Sequence, residues 1–292
     1  MRYAVEHAPV SRNVVKRFVA GETAGDAIRV SSELVTDGLA VSLDHLGEDI
    51  TSPEDAEVAT ASYIELLGVL AEAGLTDRVE VSVKLSALGG LLDHALAVDQ
   101  ARRICSAATL SGTTVTLDME DHTATDATLD AVRELRADFP RVGAVVQAYL
   151  RRTEADCRDL AIAGSRVRLC KGAYDEPASV AFVDGDEVDA SYRRCLELLM
   201  RGPGYPMVAT HDPALIGEAT RLIAETGRTP DSYEHQMLYG VRPAEQKRLA
   251  ASGATMRVYV PYGPDWYGYL MRRMAERPAN LRFFLRALAT RR

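Results

Sequence analysis

The sequence predicts an α/β fold in which eight strand–helix units close into a (β/α)8 TIM-type barrel. Three observations predict it. Eight short apolar, β-branched runs are spread fairly evenly between Leu39 and Val260, each followed by a longer stretch of helical periodicity. Alternation of that regularity calls for a parallel sheet, and eight units argue for closure over an open sheet. The chain has 292 residues, a length that suits one barrel of about 250 residues with a short addition.

The strand candidates are, in order, Leu39–Leu43, Val79–Leu85, Thr113–Leu117, Gly143–Ala148, Arg166–Cys170, Pro206–Thr210, Ser232–Met237 and Thr255–Val260. Between the first two, Ser52-Pro53-Glu54-Asp55 reads as an N-cap, a proline at the first helical position and acids in the first turn. The helix it opens carries apolar residues down to Leu70. His211-Asp212-Pro213 opens another in the same way, with Asp212 as the cap. Gly74, Gly112, Gly164 and Gly253 follow helical runs and precede strands, where a left-handed C′ residue belongs. Met1 to Gly38 read as one or two capping helices. The expected division is therefore a helical extension, 1–38, and a barrel domain, 39–292.

Composition narrows the function classes. Apolar residues make up 47% and charged residues 26%, enough to bury a large core and keep a charged surface. The net charge is −8 and no block of five or six Lys or Arg occurs, which argues against nucleic-acid binding as the main role. The basic tail from Arg286 to Arg292 fits the last turn of a helix. Cys105, Cys157, Cys170 and Cys195 show no C-x-x-C spacing and read as free thiols. No signal peptide is legible, and no run approaches the roughly 18 apolar residues of a membrane span. A cytoplasmic protein is expected, with peripheral membrane contact left open.

Active sites of such barrels sit at the C-terminal ends of the strands, and the reactive side chains here cluster there. The first strand runs into Asp44-His45-Leu46-Gly47-Glu48, the second reaches Lys84, and the third ends in Asp118-Met119-Glu120-Asp121-His122. The fourth carries Gln147. The fifth gives Arg168-Leu169-Cys170-Lys171-Gly172-Ala173-Tyr174, and the sixth Thr210-His211-Asp212. The seventh gives Glu234-His235-Gln236, and the eighth Tyr259-Val260-Pro261-Tyr262. Lys84 lies inside an apolar strand, where an unpaired ammonium is costly to bury, so a functional role is favoured. Asp118 reads either as a site acid or as an N-cap for the next helix, and Glu48 either as a site acid or a solvated loop acid. His45, His122, His211 and His235 could be ligands, caps or hydrogen-bonded core residues. No H-x-H pair occurs at a strand end, and no metal site is expected.

The segment from Trp266 to Glu276 stands apart. As a helix it sets Tyr269 and Arg273 one turn apart on one face, with Arg272 beside them. An ion-paired surface helix is the plain reading, yet such a helix has little need of Trp266, Tyr267 and Tyr269 within four residues. Arginines beside aromatics suit a small carboxylate with an apolar body.

These segments resemble the proline dehydrogenase family in its short monofunctional bacterial form. The resemblance runs from about Phe18 to Leu288. It is carried by LDHLGE at 43–48, VSVKLSALG at 81–89, LDMEDH at 117–122, VVQAYL at 145–150 and RLCKGAYDEP at 168–177. It continues with VATHDP at 208–213, YEHQMLYG at 233–240 and VYVPYGPDWYGYLMRRMAE at 258–276. Eight such segments in order make a specific signal.

The resemblance implies FAD, bound non-covalently across the barrel mouth, and oxidation of L-proline to Δ1-pyrroline-5-carboxylate by hydride transfer from C5 to flavin N5. Arg272 and Arg273 resemble the pair that holds the proline carboxylate, with Lys84 as a third cation. Tyr174, Tyr259, Tyr269 and Leu169 resemble the cage around the ring, and Asp118 the acid that orients Lys84 and the tyrosines. Glu48 and Glu276 resemble acids that pair with the arginines. Arg168 is similar to the arginine beside flavin N5 and Gln147 to the glutamine on the flavin ring, while Lys171, Gly172, Thr210, His211 and Gln236 sit where the family contacts the rest of FAD. The resemblance further implies a quinone as acceptor, transient membrane contact and a separate pyrroline-5-carboxylate dehydrogenase downstream. The absence of G-x-G-x-x-G agrees with a flavin not held on a Rossmann fold. The start is shorter than is usual for such chains. Three other readings are open on the residues: a lysine Schiff-base lyase on Lys84 or Lys171, a metal hydrolase on the strand-end histidines, and a binding module without turnover.

Overall fold

The computed structural model describes residues 15, 17–47 and 50–275, with side chains described up to residue 271. Eight parallel strands form a closed barrel in sequence order. They are β1 (Ala40–His45), β2 (Val79–Val83), β3 (Val115–Leu117), β4 (Gly143–Gln147), β5 (Arg166–Cys170), β6 (Tyr205–Ala209), β7 (Glu234–Leu238) and β8 (Met256–Tyr262). β1 closes on β8 through a register that runs from Ala40 opposite Arg257 to His45 opposite Tyr262. Each expected run holds a strand, with ends displaced by a few residues.

The helices are α1 (Ala24–Thr36), α2 (Pro53–Glu72), α3 (His94–Leu110), α4 (Thr125–Arg136), α5 (Thr153–Leu160), α6 (Gly185–Arg201), α7 (Pro213–Thr226), α8 (Pro243–Ala251) and α9 (Trp266–Ala275). Their starts follow local chemistry. Ser52 accepts from the backbone N–H of Asp55 at 3.1 Å, with Pro53 at the first helical position. Asp212 accepts from Ala214 N–H at 2.9 Å and opens α7 as expected. Gly74, Gly112, Gly164 and Gly253 all take positive φ, the left-handed conformation that ends a helix without a Cβ penalty. Asp118 is not a cap. That task falls to Asp121, which accepts from Thr123 N–H at 2.8 Å.

The outward faces of the strands carry Val, Leu, Ala and Met and are buried under the helices in one apolar cluster. The inward faces differ from the branched aliphatic filling usual in such barrels. Ser42, Asp44, Glu80, Ser82, Lys84, Thr116, Asp118, Arg166, Arg168, Glu234, Gln236 and Arg257 occupy alternate strand positions, and most are buried. Their charges are paired. Arg166 Nη2 meets Glu80 Oε2 at 2.6 Å, and Arg257 Nε and Nη2 grip Glu234 at 2.8 and 3.1 Å. Ser42 and Thr116 hydroxyls complete the shell of Glu80 at 3.2 and 3.1 Å. Buried ions persist only with such partners.

The helix-to-strand side of the barrel is fastened by arginines that bind backbone. Arg228 follows the C-terminus of α7 and donates to the carbonyls of Leu199, Met200, Gly202, Gly204 and Ser232 at 2.7–3.1 Å. It thus satisfies the carbonyl end of α6 and ties the loops before β6 and β7 together. Arg228→Ala is expected to cost about 2–3 kcal/mol and to lower Tm by roughly 3–5 °C in a chain of this length. Circular-dichroism melts check this. An unchanged Tm would mean that water replaces the guanidinium without loss.

Candidate active site

A cavity of about 660 Å³ opens at the C-terminal ends of the strands, the size of a site for a small ligand or cofactor. Of the residues expected there, Lys84, Asp118, Gln147, Arg168, Lys171, Gly172, Tyr174, Thr210, His211, Gln236, Tyr259 and Tyr269 line it. Leu169 does not. Arg168 points into the barrel, so the next residue along β5 faces outward, and Leu169 packs in the apolar layer under the helices. Its assignment to the ring cage is corrected on that ground. Glu48 and Glu276 lie outside the described residues, as do the side chains of Arg272 and Arg273 on α9.

The floor of the cavity is built around Asp118 on the far end of β3. Its carboxylate pairs with the Arg168 guanidinium, accepts from the Ser82 hydroxyl at 3.2 Å and accepts from the Tyr259 phenol at 2.6 Å. Arg168 also lies over the Tyr259 ring, 5.3 Å from its centroid, a cation–π contact. Its other donors reach Gln236 Oε1 at 2.6 Å, Ser82 Oγ at 3.0 Å and Ser42 Oγ at 3.2 Å. Burial pushes the Asp118 carboxyl above its ordinary value, against the pull of Arg168 and Lys84. Burial also pulls the Arg168 guanidinium down, but Asp118 and Glu80 outweigh it and hold the charge. The Tyr259 phenol, buried beside carboxylates, stays protonated.

Lys84 stands at the top of β2. Both carboxylate oxygens of Asp44 accept from its ammonium at 2.9 Å. Asp44 stands among the strand-end residues of the sequence, where it has no assigned role; here it is the partner of Lys84. The signal was available, since a lysine inside a strand needs an anion on a neighbouring strand.

The rim is braced by contacts between loops. The His122 ring and backbone N–H both bind Glu176, the latter at 2.8 Å, and the Tyr149 phenol donates to the same carboxylate at 3.2 Å. These contacts tie the loop after β3 to the loop that carries Tyr174. Gly172, between Lys171 and Tyr174, has φ +121°, and a Cβ there would lie 2.3 Å from the Tyr149 ring, so only glycine fits. Gln147 donates to the Glu120 carbonyl at 2.8 Å. Lys171 sits between Asp189 at 2.5 Å and Asp212 at 3.0 Å. Burial opposes its charge, but the two acids win and hold the ammonium above its ordinary value. The backbone N–H of Leu238 donates to His211 Nε2 at 2.9 Å, which leaves the ring's own proton on Nδ1. Met119, Val145, Met237 and Leu238 add an apolar wall.

The arrangement offers fixed donors on one wall, phenols and a lysine on another, and an apolar lining between them. Such a lining suits a small ligand or cofactor with both polar edges and apolar faces. Among the described residues, no three His, Cys, Asp or Glu side chains stand where they could hold a metal ion together.

A family model described as proline dehydrogenase matches residues 27–286. The chain is 40% identical over 273 residues to proline dehydrogenase 1 of Bacillus subtilis (strain 168), covering 94% of this chain and 90% of that protein. It is 42% identical over 281 residues to the proline dehydrogenase of Deinococcus radiodurans, again covering 94% and 90%. Among solved structures, the fold matches proline utilization A (PutA) from Bdellovibrio bacteriovorus, inactivated by N-propargylglycine. The TM-score is 0.85 at 26% identity, covering 91% of this chain and 33% of that one.

Proposed function

The chain belongs to the proline dehydrogenase family, and on that premise we propose that it oxidises L-proline to Δ1-pyrroline-5-carboxylate with a non-covalently held FAD. The observation that supports this reading best is the convergence on one cavity of Gln147, Arg168, Lys171, Thr210, His211 and Gln236 with Lys84, Tyr174, Tyr259 and Tyr269. The first group supplies hydrogen-bond donors and acceptors for a ring with carbonyl and imine edges and for a phosphate. The second supplies a cation and phenol faces for a small cyclic amino acid.

When bound, the flavin supplies the electron sink for a hydride leaving C5 of proline. The protein's task is positioning and electrostatics. Arg272 and Arg273 on α9, with Lys84, hold the carboxylate. Tyr174, Tyr259 and Tyr269 cover the ring and exclude water. The proline nitrogen reacts as the free amine, so that its lone pair forms the C=N bond as the C5 hydride departs. Asp118 holds the Tyr259 hydroxyl and Arg168 in register at the floor. The electrons leave to a quinone in transient contact with a membrane surface. No described helix is long and apolar enough to cross a membrane. A separate dehydrogenase consumes the product.

The purified protein is expected to be yellow, to release its flavin on acid precipitation, and to lose its visible flavin bands when L-proline is added without oxygen. A colourless protein that traps a carbonyl substrate on borohydride treatment would replace this reading with Schiff-base chemistry. A flavoprotein that proline leaves oxidised would overturn the substrate.

A further inference from the structure

Below the cavity, Gln236 is held from two sides. Its side-chain Nε2 donates to Glu234 Oε1 at 2.5 Å, and its Oε1 accepts from Arg168 Nε at 2.6 Å. Only one orientation of the amide satisfies both contacts. A guanidinium can only donate, and a carboxylate that faces Arg257 accepts. Glu234 is itself fixed. Arg257 grips both of its oxygens at 2.8 and 3.1 Å, the Tyr205 phenol donates to Oε2 at 3.2 Å, and the residue is wholly buried. Glu234 and Gln236 lie two residues apart on β7 and so share its inner face, one layer above the other.

We propose that Glu234 is a positioning residue of the site: it locks the Gln236 amide with its oxygen toward Arg168 and thereby sets where the Arg168 guanidinium stands under the cavity. The inference rests on the reading in which Arg168 serves the reaction. The Arg168 Nε–H calls for an acceptor from one side and the Glu234 carboxylate calls for a donor from the other, so the two contacts together hold the amide in one orientation. With the carboxylate gone, the amide loses the anchor on its Nε2 and is held by Arg168 alone, so its oxygen can move off the Arg168 Nε–H. Arg168 then loses its Nε acceptor and shifts toward Asp118 and Ser82, which hold its other end.

The test is a double-mutant cycle in the full-length holoprotein with Glu234→Gln, Gln236→Met and the pair. Three quantities are read: kcat and KM for L-proline, the flavin midpoint potential, and the Arg168 position in crystal structures. Glu234→Gln is expected to lower kcat roughly tenfold to a hundredfold with KM unchanged, to shift the potential and to displace the Arg168 guanidinium. In the Gln236→Met background the same substitution should add no further loss in kcat and no further shift in potential, because its route to Arg168 has been removed. Losses that add in the pair, or an Arg168 that stays in place, would overturn the proposal, since a purely structural role acts through Arg257 whatever occupies position 236. If Glu234→Gln does not fold, Glu234→Asp keeps the charge toward Arg257 while shortening the reach, and the same cycle applies. A wild-type protein that neither binds flavin nor oxidises proline would fail the functional reading. The crystallographic arm would still decide whether Glu234 sets the position of Arg168.

Discussion

Glu80→Gln is expected to destabilise the fold by about 3–5 kcal/mol, the loss seen when one partner of a buried ion pair is removed. The Glu80 carboxylate takes Arg166 at 2.6 Å and stands 3.7 Å from Arg168 and 3.8 Å from Arg257. An amide of the same shape leaves that guanidinium cluster short of its central anion. Urea denaturation should show a lower midpoint with the slope unchanged. Acid adds an independent signature. Burial works against charge on Glu80, but Arg166, Arg257 and Arg168 overcome it and hold its pKa at about 2, against an ordinary 4.5. The unfolded chain therefore binds the extra proton between these values, so stability rises with pH there. The contribution is complete above about 4.5 and is lost as pH falls toward about 2. The variant should lack that part of the acid-unfolding profile. A variant as stable as the parent, with the same profile, would show that other anions hold the arginines.

Asp118→Asn is expected to lower kcat/KM for proline by about a hundredfold, in the range for loss of one preorganised electrostatic group. The side chain keeps its shape. However, one of its two ends becomes an NH2 that must face either the Arg168 guanidinium or the Tyr259 phenol, both of which donate to the carboxylate now. Because burial raises the Asp118 carboxyl above its ordinary 3.8, activity that needs the carboxylate should rise with pH through a value above 3.8. That acid limb of kcat/KM should be missing from the variant. Initial-rate measurements of proline oxidation across pH read both effects. Rates within twofold of the parent, or an unchanged acid limb, would remove Asp118 from the working parts of the site.

The barrel was legible because its outer faces obey simple rules. A strand buried under helices must be apolar on that side, and the helices start at Ser52 and Asp212 and stop before left-handed glycines. The inner faces were not read, although the same period-two alternation displays them. In RVRLC and EHQML, Arg166 and Arg168, and Glu234 and Gln236, fall two positions apart, which for an enclosed strand face means paired ions inside the barrel. Ending the first strand at Leu43 stopped one residue short of Asp44, the anion that Lys84 demanded. Leu169 went astray for a related reason: motif position places a residue near the site, and only strand parity says which way it points. Which anion meets which cation was not legible at all. Arg168 and Asp118 are 50 residues apart, and Arg168 and Ser42 are 126 apart. Their meeting is set by the stagger of the closed barrel.

The paired ions inside the barrel have a consequence for inheritance. In formal charge, Lys84, Arg166, Arg168 and Arg257 are matched by Asp44, Glu80, Asp118 and Glu234. A structure electrically complete in itself can be passed down unchanged while the segments above it diversify. A bound anion adds a charge that this set does not balance by itself, and α9 after the last strand carries two arginines in sequence. Descendants of such a chain can therefore alter the segments above the barrel without disturbing the folding of the strands beneath them.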